Sequence, residues 1–229
     1  MRQGFVLVCG LIASTLCACA ISAARGQAAR TALCKDYSYA GLQSTAPTAG
    51  IRADLEVAER PVVHSGHVGG WIGVGGPRKG PGRSDQWLQA GYAAFPDGTL
   101  QLYYEVALPG AAPEYHVVKA GVRPGESHLI EILENAARRG VWRVWVDRAP
   151  AGPGYFLRGS HGRYEPQGIG ESWSPSAGMC NTFSWMFDDL KVAARPGGAW
   201  SLVGRRYEWN DPGYGVEQLA PGSFATFSR

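Results

Sequence analysis

The chain has 229 residues, and its 32 glycines and 15 prolines make about one residue in five a turn former. Charged residues are only 18%, hydrophobic residues are 45%, the formal net charge is +3, and 8 Trp, 10 Tyr and 7 Phe supply bulky side chains for a core. That balance excludes a disordered chain, a coiled coil and a collagen-like fibre, and it suits a turn-rich β protein.

Met1-Arg2 opens the chain, and residues 5–24 form an apolar, Ala-rich run without charge that ends in small residues before Arg25. A basic start, an apolar middle and a small-residue end describe a secretory signal peptide, which predicts a leader over 1–28 and a single domain over 29–229. A membrane anchor is the alternative, since about 20 apolar residues span a bilayer. Leu16-Cys-Ala-Cys19 adds a weak lipoprotein-like box. The expected product is secreted or associated with the cell envelope, without stable membrane insertion once the leader is cleaved. Cys9, Cys17 and Cys19 fall in the leader, leaving Cys34 and Cys180. In an exported chain two cysteines most simply form one disulfide, two free thiols being the alternative. Arginine outnumbers lysine 18 to 4, but no basic stripe interleaved with aromatics occurs, so nucleic-acid binding has no support.

Beyond Cys34, short extended segments alternate with turn clusters. Strands are expected over 37–43, 51–58, 67–75, 86–95, 100–108, 115–120, 128–134, 141–147, 155–159, 168–173, 182–193 and 200–203. Pro96-Asp-Gly98 is a hairpin turn between two of them. Residues 128–139 carry Leu129, Ile130, Ile132 and Leu133 and are ambiguous with a helix; the turn Arg138-Arg-Gly140 into alternating Val141-Trp-Arg-Val-Trp-Val-Asp147 favours strand. Roughly a dozen strands without a compositional break predict an all-β, antiparallel sandwich of two packed sheets. The Pro/Gly-rich stretches 76–84 and 149–154 read as loops.

Strand periodicity sorts side chains onto two faces. Ile72, Val74, Leu88, Tyr92, Leu102, Tyr104 and Val106 read as core. The opposite face then carries Trp71, Trp87, Gln89, Tyr103, Glu105, Glu171 and Trp173. If these strands share one sheet, aromatic walls surround one amide and two carboxyls, which makes a binding cleft.

Two segments in this set resemble a known family. Trp71-Ile-Gly-Val-Gly-Gly76 followed by Trp87-Leu-Gln-Ala-Gly91 is similar to W-V-G-I-D-G and L-Q-T-G of the glutamic peptidases (eqolisins), secreted acid proteases built on a concanavalin-like β-sandwich. Gly170-Glu-Ser-Trp173 resembles that family's A-E-W. Tyr103-Tyr-Glu-Val106 is similar to its intervening Tyr/Glu/Trp strand, and Tyr39-Ala-Gly-Leu42 to its opening N-W-A-G. The order is the same, and the likeness spans roughly residues 37–205. It implies a divergent secreted relative in which Glu171 is the general base that activates a water and Gln89 stabilises the oxyanion. Trp71, Trp87, Tyr103, Glu105 and Trp173 would line the substrate site. The chain departs from the family's pattern at Ala93, where the family has an acid, and at Ser172, which separates Glu171 from Trp173. No cofactor is implied, and a monomer acting on a polypeptide is expected.

Other readings of the same residues remain open. The face is also compatible with a solvated sheet surface, or with a non-catalytic module binding an extracellular glycan or another cell-surface ligand. A glycosidase using Glu105 and Glu171 would need the same aromatics for sugar stacking, though no E-x-D-x-x-E motif is present. His64-Ser-Gly-His67 reads as a surface loop for want of a third ligand. Gly73-Val-Gly-Gly-Pro-Arg78 lacks the phosphate-loop pattern, and no G-x-S-x-G occurs. Asp188-Asp189 reads as a strand-end or bulge feature.

Overall fold

The computed structural model describes residues 36–175 and 178–229. The expected leader over 1–28 and Cys34, hence the Cys34–Cys180 pairing, lie outside the described residues. Among those described, two antiparallel sheets face each other. One has the order β14 (Arg206–Asn210), β1 (Asp36–Ser44), β11 (Gln167–Ser174), β3 (His67–Gly76), β4 (Gln86–Ala94), β5 (Leu100–Ala107) and β6 (Glu114–Ala120). The other has the order β10 (Tyr155–Phe156), β8 (Val141–Val146), β7 (Ser127–Glu134), β2 (Gly50–Val62), β12 (Thr182–Arg195), β16 (Ser223–Ser228) and β15 (Tyr214–Ala220). Two short strands, β13 (Gly198–Leu202) on β12 and β9 (Ala149–Pro150) on β8, complete the second sheet. The fold is therefore the two-sheet sandwich expected.

The alternating residues meet between the sheets. Ile72, Val74, Leu88, Tyr92, Leu102, Tyr104 and Val106 are all buried, opposite Ile51, Leu55, Ile130, Ile132, Trp185 and Phe187 from the second sheet. Removing each such side chain from water contributes roughly 1.5–3 kcal/mol, which is what holds period-two strands in register. The four strands β3, β4, β5 and β11, which carry the family-like motifs, lie side by side in one sheet. That adjacency is what makes a shared face possible.

The C-terminal region and one loop differ from the sequence reading. Residues 206–228, to which the sequence reading assigns no element, carry β14, β15 and β16. Exposed positions break their alternation, as in Arg206–Asn210, where four of five residues are exposed. The second sheet also gains β9 within the stretch read as a loop. The segment 127–134 is strand, as the turn at Arg138-Arg-Gly140 suggested. Asp188 and Asp189 sit at a bulge in β12, where the register shifts between Asp188 and Lys191 and Asp189 has φ 51°.

Close packing through the seven-stranded sheet rests on Gly91. A Cβ there would lie 2.0 Å from the Gly70 carbonyl oxygen and 2.8 Å from the Trp71 Cβ. Gly91→Ala is accordingly expected to destabilise the fold by about 1–3 kcal/mol, by overpacking, in denaturant unfolding. An unchanged midpoint would contradict this packing.

The chain crosses from one sheet to the other between β6 and β7, and Glu126 ties that corner. Its carboxylate accepts hydrogen bonds from Lys119 and, at 3.0 Å, from His128 Nε2, with the Arg123 amide at 3.3 Å. The Lys119 and His128 contacts hold its pKa down at about 2. A depressed carboxylate stabilises the fold above its ordinary pKa and loses that contribution as pH falls through the folded value. Stability is therefore expected to decline between about pH 4.5 and pH 2. Glu126→Gln should flatten that part of the profile in thermal unfolding measured across pH.

Candidate active site

On the face of the seven-stranded sheet turned away from the core, residues paired across strands stand in rows. One row is Gln43, Gln167, Gly73, Gln89, Glu105 and Tyr115. The next is Gly41, Ile169, Trp71, Gly91 and Tyr103. Beyond it come Tyr39, Glu171, Gly69 and Ala93, and then Tyr37, Trp173 and His67. A cavity of about 550 Å³ opens on this face. Gln89, Glu171, Trp71, Trp87, Tyr103 and Glu105, all read from the sequence as one face, line it together.

Trp71 lies at the centre, laid along its own strand. A Cβ added at Gly69 would be 3.2 Å from its Cδ1, and one added at Gly73 would be 3.0 Å from its Cζ3. The indole thus covers both glycines, with its N–H end toward Glu171 and its benzo end toward Gln89. Its Nε1 donates to Glu171 Oε2 at 3.3 Å. His67 Nε2 meets the other carboxylate oxygen, Oε1, at 3.1 Å. Glu171 is therefore held by two nitrogens and is 8% exposed, so its carboxylate is placed on the cavity wall with little freedom. The Gln89 amide donates from Nε2 to the Tyr103 hydroxyl at 3.1 Å, which leaves its oxygen and second N–H available to the cavity. Gln89 and Glu171 do not bond each other directly; they flank the Trp71 indole on the two strands beside β3.

The second carboxyl, Glu105, accepts from Trp87 Nε1 at 2.9 Å. Burial pushes its pKa up, the Trp87 hydrogen bond opposes that, and the charge of Glu171 raises it further. Burial also raises the Tyr103 and Tyr39 hydroxyls, helped in each case by the Glu171 charge, so both remain protonated donors. Among the described residues no group of three His, Cys, Asp or Glu is arranged to hold a metal ion.

Three placements differ from the sequence reading. His67 is no surface-loop residue: it opens β3 and faces Glu171, its ring packed on Trp173 at 5.4 Å and near Phe95 and Tyr37 at 6.3 Å. It shares parity with Gly69, Trp71 and Gly73, so extending the period-two pattern backwards by four residues would have found it. Trp173, expected in the cleft wall, stands outside the cavity lining and backs the His67 imidazole instead. Trp209 of β14 lines the cavity from a segment the sequence reading left unassigned. At the family's acid position, Ala93 pairs with Gly69 in the Glu171 row, and the carboxylate's partner is the imidazole of the adjoining row. Ser172, the other departure, points into the interior and is 3% exposed.

The fold matches that of scytalido-glutamic peptidase with a peptide-based transition state analog, at a TM-score of 0.56 and 10% identity, over 85% of this chain and 98% of that one. It also matches SCP-B, a member of the Eqolisin family in a complex with the tripeptide Ala-Ile-His, at a TM-score of 0.53 and 12% identity, over 85% of this chain and 98% of that one. At these identities the likeness is one of fold. No family model and no curated protein sequence matches the chain.

The coupling between the two carboxyls has a direct readout. Removing the Trp87 donor in Trp87→Phe should raise the Glu105 pKa, and removing the like charge in Glu171→Gln should lower it. Carboxyl carbon chemical shifts followed through an NMR titration check both signs.

Proposed function

We propose that the cleft hydrolyses peptide bonds in acidic solution, with Glu171 as general base and Gln89 as oxyanion donor. The observation that supports this best is the pair's setting: a buried carboxylate held by His67 and Trp71, and an amide held by Tyr103, on either side of one indole in one cavity. A polypeptide lying over Trp71 would have its scissile carbonyl between them. Glu171 then takes a proton from a water as its oxygen bonds to the carbonyl carbon. The Gln89 N–H stabilises the oxyanion that forms. As the C–N bond breaks, Glu171 returns the proton to the leaving amine, so acid and base are the same group in turn. His67 and Trp71 act through Glu171, fixing the direction its lone pairs face.

Secretion after removal of a leader over 1–28, a Cys34–Cys180 disulfide and a monomeric state without cofactor complete this reading. The aromatic wall of Trp71, Trp87 and Trp209 also fits a glycan, in which case the cleft binds without turnover.

Digestion of an unfolded protein substrate between about pH 2 and 7, with pepstatin present, separates the two. Cleavage by the wild type is expected, with none from Glu171→Gln. Gln89→Ala should lower kcat by about 10²–10³, the cost of one oxyanion donor. A folded wild type that leaves the substrate intact, together with glycan binding lost in Trp87→Ala, would overturn the peptidase reading.

A further inference from the structure

Lys79 lies in the connection between β3 and β4 and is, among the described residues, the one Lys or Arg that lines the cavity. Its Nζ donates to Gln43 Oε1 at 3.1 Å and sits 4.7 Å from the centre of the Trp209 ring. Trp209 Nε1 donates to the same Gln43 oxygen at 3.2 Å, and Gln43 Nε2 donates to Glu165 Oε2 at 3.1 Å. Gln43 thus stands between the ammonium and the carboxylate whose charge acts on it. Lys79 makes no ion pair with any described residue, and burial lowers its pKa while Glu165 opposes that.

A cation drawn into a cavity wall without a paired anion is left short of charge compensation. An ammonium has three N–H donors, and the protein accepts one of them. The amide row of Gln43, Gln167 and Gln89 runs from this corner to the candidate oxyanion donor. Resting on the peptidase reading, we propose that Lys79 is a specificity-determining residue that binds a carboxylate of the peptide substrate, either an acidic side chain or the chain's C-terminus. One lysine beside neutral amides matches a carboxylate better than a phosphate or sulfate, for which an Arg fork or a ring of backbone amides would be expected. The cleft would then be charged at two places with opposite jobs: carboxyls where the bond is cut, an ammonium where the substrate is anchored.

The test measures binding as well as turnover. Acetylated hexa-alanine peptides carrying Glu or Gln at each position in turn, with an acid or an amide C-terminus, are titrated calorimetrically into full-length Glu171→Gln at pH 6, where ligand carboxylates are ionised. One carboxylate, at a fixed position or at the C-terminus, should tighten binding about ten-fold over its amide isostere. Adding Lys79→Met should bring that ratio to about one, whereas adding Lys79→Arg should retain most of it; thermal unfolding verifies that each variant is folded. Equal binding of acid and amide peptides, or a ratio that survives Lys79→Met, overturns the proposal. A carboxylate preference that depends on Lys79 in a wild type that cleaves nothing would keep this site and sink the hydrolytic reading instead.

Discussion

An indole can lie flat on a β-sheet only where the residues beneath it have no side chains, and the cleft depends on that condition at Trp71. Gly69 and Gly73 precede and follow it on its own face, and Gly91 stands opposite on β4. Any Cβ at those positions would press on the ring or on its strand. With the ring down, its N–H reaches Glu171 and its far edge reaches the Gln89 row. The indole is at once the floor of the cavity and the spacer between the two polar groups.

The surrounding charges follow from the same sheet order. Because β11, β3, β4 and β5 are neighbours, Glu171 and Glu105 share one low-dielectric space, and each is capped by an indole N–H. Burial raises the pKa of Glu105, the Trp87 hydrogen bond opposes that, and the charge of Glu171 adds to the rise. His67 adds a third titratable group on the far side of Glu171, wedged by Trp173 so that its Nε2 keeps its direction. The fold likeness to two peptidases concerns the sandwich; the case for hydrolysis rests on this local chemistry.

The cleft-facing set was legible in the sequence because the strands concerned are buried on one face, and alternation there is enforced by the core. Ile72, Val74, Leu88 and Leu102 pin the parity, and Trp71, Gln89, Tyr103 and Glu105 follow from it. His67 opens the strand expected over 67–75, but beside Ser65 and Gly66 it also reads as loop, and that masks its shared parity with Trp71. Trp209 was hidden because β14 is an edge strand with most residues exposed, so no hydrophobic rhythm marks it. Lys79 belongs to a loop, where no periodicity exists to assign a direction, and its place in the cavity wall is set by Gln43 and Trp209, far away in sequence. Ala93 and Ser172, read as departures from the family's pattern, turn out differently: one leaves the Glu171 row without a second acid, the other is simply an interior residue.

The most direct measurement is a crystal structure of the protein with a peptide-based transition state analogue bound. The account places the tetrahedral centre over the Trp71 indole, with one oxygen accepting from the Gln89 amide and the other within hydrogen-bond reach of Glu171. An analogue seated elsewhere on the molecule, or in the cleft with its tetrahedral centre touching neither side chain, would contradict it.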